Sequence, residues 1–173
     1  MDYRQAEEKA KNATFEEKSK MLRNGSEVEK IAVIPYFETN QLLASLQDAS
    51  SAVRKSALVQ ICKRDDFYDL ARARREVSAL AFDANPEVRQ EVINIVNKYS
   101  GRFSLAKDNG SPACDAAYWE FVRTAEKLAV DPVPEIAASA EKALEAHYDR
   151  YPHTRPVEQE KTQRPQKDKG MDI

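Results

Sequence analysis

One short pattern of apolar and polar positions recurs three times along the chain. DASSAVRKSALVQI from Asp48, DANPEVRQEVINIV from Asp83 and DPVPEIAASAEKAL from Asp131 each begin with an aspartate. Five positions on comes a β-branched apolar residue (Val53, Val88, Ile136), and apolar residues follow four and eight positions later (Ala57 and Ile61; Val92 and Val96; Ala140 and Leu144). That spacing lays one apolar stripe on a helix. Ser50 and Asn85 stand where an N-cap side chain accepts a bond from an unpaired backbone amide, and Pro86 and Pro134 fall at the next position, where a missing N–H costs nothing. The aspartate therefore closes one helix and opens a tight turn into the next, and each unit is predicted to be a helical hairpin.

The first helix of each predicted hairpin is legible too. PYFETNQLLASLQ begins at Pro35 and supplies Leu42, Leu43 and Leu46; FYDLARARREVSALAF, residues 67 to 82, lines up Leu70, Ala73, Val77, Leu80 and Ala81, with Asp66 and Asp69 placed to cap its start. AAYWEFVRTAEKLAV, residues 116 to 130, takes the same part before the third turn. The units are 35 residues apart from Asp48 to Asp83 and 48 apart from Asp83 to Asp131. The excess of 13 matches SGRFSLAKDNGSP, residues 100 to 112, which holds two of the four glycines and reads as a loop inserted between repeats. Nearer the start, TFEE at Thr14 and SEVE at Ser26 fit the capping box and predict helices over about 15 to 23 and about 27 to 33. The first dozen residues offer mainly alanines to a core. From Tyr151 the segment YPHTRPVEQEKTQRPQKDKGMDI carries three prolines, many charges and almost no hydrophobes, the composition of a disordered tail. The expected organisation is an N-terminal helical cap over 1–34, a repeat domain over 35–150 and a charged tail over 151–173.

Composition agrees with an all-α chain: four glycines in 173 residues, with long stretches rich in Ala, Glu, Lys, Leu, Arg and Gln. Charged residues make up 32%, but 27 Lys plus Arg against 29 Asp plus Glu leave a net charge of −2, which argues against a polyanion binder. Cys62 and Cys114 match neither a redox CxxC nor a zinc-ligand spacing and are expected to be small core residues in a reducing compartment. The longest apolar run, IAVIPYF at 31 to 37, is too short to span a bilayer, and the charged opening MDYRQAEEKAKNATFEEKSK is no secretory signal. A cytoplasmic protein with no membrane insertion is the expectation.

At the three turns the chain resembles HEAT and HEAT-like repeat proteins, on Asp48, Val53 and Arg54, then Asp83, Pro86, Val88 and Arg89, then Asp131, Pro134 and Ile136. In the third unit Ala137 replaces the arginine and Val133 replaces the polar cap. The resemblance covers roughly residues 35 to 150. It implies a short right-handed α-solenoid of antiparallel helical hairpins, with the second helices lining a concave face and the Asp and Arg residues forming a ladder between adjacent turns. The missing arginine at Ala137 then suits a C-terminal capping unit.

For Arg54 and Arg89 the favoured role is support, because each sits beside a turn carboxylate, and Asp48, Asp83 and Asp131 recur at equivalent places as a structural device would. Lys55, Val59, Asn94, Asn97 and Lys142 fall on the expected concave face and are candidate partner contacts. No row there is uniformly basic, as tracking a phosphate backbone would require, so a nucleic-acid binder or an enzyme using this face is the alternative rather than the preferred reading. Arg72 and Arg75 stand in the densest basic cluster, but interleaved acids make a solvated, salt-bridged helix face the simpler account. Tyr118 and Trp119 point to different sides of a helix, and Trp119 is a candidate contact if it is not packed inward. His147 and His153 lack a metal-ligand context, and no phosphate loop or nucleophile motif is present, so the sequence points to no catalytic, cofactor or metal site. The function expected from the sequence is a non-enzymatic protein-binding adaptor or scaffold, a component or inhibitor of a larger assembly.

Overall fold

A computed structural model describes residues 1–64, 67–107 and 112–156, and among them every regular element is a helix. Three short helices open the chain. α1 (Tyr3–Asn12), α2 (Phe15–Asn24) and α3 (Glu27–Val33) each start in a capping box, built by Asp2 with Gln5, Thr14 with Glu17 and Ser26 with Glu29. Each box satisfies amides at both ends of a first turn that has no intrahelical partner. α1 and α2 both pack on α3, and Ala6 and Ala10 bury their methyls completely.

The three aspartate turns each lead into a helix: α5 (Ser51–Lys63), α8 (Pro86–Lys107) and α10 (Pro134–Arg150). α8 lies against both α5 and α10, and α3 packs on α5. All nine stripe positions read from the repeats, from Val53 to Leu144, are at most 9% exposed. Burying a Val, Leu or Ile side chain contributes about 1.5–3 kcal/mol each, so these stripes are the main hydrophobic reason the helices face one another.

The preceding segments are less regular than their apolar periodicity predicts. Before Asp48, a 3₁₀ turn over Ile34–Tyr36, α4 (Thr39–Leu42) and a second 3₁₀ stretch over Leu43–Gln47 replace one continuous helix. Phe37 breaks the run by adopting extended backbone at φ −112°, and Glu38 restarts it with its own capping box. Between 67 and 82, α6 (Phe67–Arg72) and α7 (Arg74–Ala79) are separated at Ala73, and a 3₁₀ turn over Leu80–Phe82 follows. There Arg74 Nη1 donates to the Ala71 carbonyl at 2.7 Å, which gives a carbonyl at the break a partner. Asp66, expected to cap this segment, lies outside the described residues.

Two segments expected to be irregular begin with regular structure. The predicted loop at 100 to 112 is helical for its first part, because α8 continues to Lys107 and α9 (Pro112–Leu128) opens at Pro112. Gly101 costs a helix about 1 kcal/mol but does not break it, and no proline intervenes between Pro86 and Pro112. The remainder, 108–111, lies outside the described residues. At the other end α10 stops at Arg150, but Tyr151 packs on the core and Pro152–Thr154 form a 3₁₀ turn, so the predicted disorder does not begin at Tyr151. The rest of that tail, 157–173, falls outside the described residues.

Candidate binding face

Each turn aspartate first organises its own backbone. One oxygen of Asp48, Asp83 and Asp131 accepts the amide two residues on, from Ser50, Asn85 and Val133, at 2.9 Å in every case. The second helix then starts with Ser50 Oγ accepting Val53 N–H and Asn85 Oδ1 accepting Glu87 N–H, whereas Val133 contributes no side-chain cap.

From that fixed start the arginine four residues past the cap reaches in two directions. Arg54 Nη1 donates to the Asp48 carbonyl at 2.7 Å, while Nε and Nη2 donate to Asp83 at 2.6 and 2.8 Å. Arg89 repeats the arrangement with the Asp83 carbonyl at 2.8 Å and with Asp131 at 2.6 and 2.9 Å. Each guanidinium thus holds the backbone of its own turn and the carboxylate of the next, a two-pronged geometry that arginine's planar fork matches and lysine's does not.

The chain of cations begins one hairpin earlier than the sequence repeats indicate. Lys30 donates to Asp48 at 2.6 Å. It stands four residues past the Ser26 cap, as Arg54 stands past Ser50 and Arg89 past Asn85. Asn24 occupies the place, two before the cap, that Asp48, Asp83 and Asp131 occupy in the later turns. The ladder Lys30–Asp48, Arg54–Asp83, Arg89–Asp131 therefore has an uncharged residue at each end, Asn24 and Ala137. Neither terminal turn is left with a buried charge lacking a counterpart. Lys30 was missed because the α3 segment has no aspartate to align on; the signal was its distance from the Ser26 cap.

Burial sharpens these pairs. The side chains of Asp83 and Asp131 are 4% exposed, and Arg89 is 10%. Burial alone would push the Asp83 carboxyl up, but the Arg54 hydrogen bonds and the Asn85 amide outweigh it and hold the group below the ordinary range. Asp131 is held low chiefly by Arg89, and Asp48, raised by burial, is brought down by Lys30 and the Ser50 amide. Both arginines are pushed up, Arg54 by its bonds to Asp83 and Arg89 by its bonds to Asp131. These groups stay ionised through ordinary pH and are engaged with one another.

Beside the ladder, α5, α8 and α10 share a polar face. Lys55 pairs with Glu87 at 3.1 Å, Lys98 Nζ donates to the Cys62 carbonyl, and Asn97 Nδ2 donates to Ser139 Oγ at 2.9 Å. Val59 lines a shallow groove with Tyr3 and Pro35, Asn94 bonds to Gln90 and Glu91, and Lys142 is exposed. Lys55, Val59, Asn94, Asn97 and Lys142 are thereby gathered on the same three helices. Arg72 and Arg75 lie on α6 and α7, both exposed, with Arg72 4.0 Å from Asp69. Trp119, on α9, is 38% exposed and stacks edge-on to Tyr118 and His147.

Under Trp119 lies a buried contact that the sequence did not signal. Thr154 Oγ1 gives its proton to the Tyr151 carbonyl at 2.7 Å, so at 3.0 Å from His147 Nε2 it can only accept. That places the imidazole proton on Nε2 and leaves Nδ1 to accept from the Tyr118 hydroxyl. Burial, with Arg150 and His153 adding to it, pulls the His147 pKa down; burial and Tyr151 push Tyr118 up to about 12. Both rings are neutral near pH 7, and together they pin residues 151–154 onto α10.

No group of three or more potential metal ligands occurs among the described residues, and no helix there is long and apolar enough to cross a membrane. Comparison of the chain with family models, with curated proteins and with solved structures finds no match in any of the three.

Proposed function

We propose that the chain is a short right-handed α-solenoid of HEAT-like hairpins that works as a non-enzymatic adaptor, presenting the face lined by α5, α8 and α10 to another protein. The observation that carries this reading is the buried ladder. Two bidentate Arg–Asp pairs, each also gripping a turn carbonyl, tie consecutive hairpins together at their corners. Such pairing holds the three second helices in a set relation, so that Lys55, Asn94 and Lys142 approach a partner as one preorganised surface. Preorganisation favours binding because less freedom is lost on association. The HEAT resemblance at the turns adds the expectation of a stoichiometric rather than a catalytic role.

Affinity capture from native cells, using wild type and the triple variant Lys55→Glu, Asn94→Arg, Lys142→Glu, tests the reading. A protein partner held by wild type and lost by the variant is the expected result. Partners held equally by both would place the interface elsewhere, and salt-dependent DNA or RNA binding lost in the variant would replace the adaptor with a nucleic-acid binder.

A further inference from the structure

One cavity on the proposed face differs from its neighbours in charge. It has a volume of about 420 Å³ and lies where α10 meets α8 and α9, lined by Asn97, Tyr118, Ser139, Lys142, His147, Arg150 and two alanines. Among the described residues its charged lining consists of the cations Lys142 and Arg150, and neither has an ion-pair partner there. The groove around Val59, by contrast, includes Glu87 beside Lys55, and the cavity between α1, α2 and α3 includes the Lys9–Glu29 pair. Of the acids beside these cations on α10, Glu145 and Asp149 are turned to Arg155, at 2.8 and 3.8 Å, and Glu141 is exposed outside the named lining. The floor is uncharged near neutral pH, since His147 is held below its ordinary value and Tyr118 is pushed up to about 12. Asn97 spends one amide proton on Ser139 Oγ, which leaves the Ser139 hydroxyl proton and the second Asn97 N–H as further donors.

We propose that this cavity seats an acidic segment of the protein partner, bringing two carboxylates to Lys142 and Arg150. The proposal rests on the adaptor reading and supplies the chemistry of its partner. Lys142 and Arg150 are eight residues apart on one helix, about 12 Å along its axis. In an extended chain that rises about 3.3 Å per residue, the two carboxylates fall roughly three or four positions apart. A short acidic run matches that spacing and places one carboxylate beside each cation.

The test uses the full chain and fluorescein-labelled hexaglutamate, read by anisotropy between about 50 mM and about 500 mM NaCl. Saturable binding that weakens with salt is expected, with Lys142→Glu/Arg150→Glu weakening it roughly tenfold or more. The control Arg4→Glu/Lys11→Glu makes the same change in net charge at exposed positions on α1 and should leave most of the affinity. No saturable binding, or equal loss in both doubles, overturns the proposal. Displacement of the peptide by equimolar inorganic phosphate also overturns it, by making the cavity a free-anion site. Two further results separate this proposal from the adaptor reading. A captured partner indifferent to Lys142→Glu/Arg150→Glu overturns the cavity's role alone. Peptide binding that requires both cations, without any captured protein, supports the cavity and counts against the adaptor.

Discussion

Arg89 illustrates how much one side chain can decide in this fold. It is buried, its charge is matched by Asp131, and its third nitrogen, Nη1, donates to the Asp83 and Ala84 carbonyls. Removing one partner of such a pair strands a charge in low dielectric, so Arg89→Ala should cost about 3–5 kcal/mol in urea unfolding. The double change Arg89→Met/Asp131→Leu should recover much of that loss, because the desolvation of both ions disappears with their attraction. A loss no larger than a surface substitution gives would show that the pair contributes nothing. The ladder also sets the acid limit of stability. Asp83 and Asp131 titrate below their ordinary value of 3.8 when folded, so their contribution is complete above that pH and is lost as pH falls through the folded values. His147 acts in a different window. Its folded pKa lies below the ordinary 6.5, so the unfolded chain takes the proton first; stability is full above about pH 6.5 and declines as pH drops below it. Urea midpoints at pH 7.5 and 5.5 should differ in wild type and differ less in His147→Gln.

At the scale of elements, junctions rather than helix interiors carry the information. Gly25 lies between α2 and α3, where an added Cβ would sit 2.4 Å from the Met21 carbonyl oxygen and 3.0 Å from Glu29 Cβ. Gly25→Ala must therefore shift backbone and should cost roughly 1–3 kcal/mol by thermal or urea unfolding, the usual cost of overpacking. Gly101 stands inside α8, so Gly101→Ala should instead stabilise by about 0.5–1 kcal/mol in the same measurement. The capping boxes at Thr14 and Ser26 were legible because they are local: four residues contain both partners. The breaks at Phe37 and Ala73 were not, because apolar periodicity continues across them. Only the backbone geometry at Phe37 and the Arg74 contact to Ala71 interrupt the helices. The same local reasoning overweighted two glycines and turned the end of α8 into a loop.

For the whole molecule, α8 is the element on which the others depend, since it packs against α5, α9 and α10 and contributes both Asn97 and the Arg89 rung. Loss of that rung should loosen the C-terminal hairpin before the N-terminal one. Amide exchange in Arg89→Ala is accordingly expected to accelerate in α10 more than in α1 to α3, and uniform acceleration would show that the ladder is not a set of separable ties. The neutral residues at Asn24 and Ala137 follow from the same geometry. A rung needs a cation from one hairpin and a carboxylate from the next, and each end lacks one of the two.

The amino-acid sequence determined the helical class, the three aspartate corners, the buried stripes from Val53 to Leu144 and the caps that start α2, α3 and α5. These follow from propensity, periodicity and bonds between residues a few positions apart. The direction of each arginine, the recruitment of Lys30, the burial of His147 under Tyr118 and Thr154, and the cationic cavity between Lys142 and Arg150 were decided only in three dimensions. The ladder and the Tyr118–His147 contact depend on which carboxylate or ring another element delivers, and partners 18 to 42 residues away leave no local pattern to read.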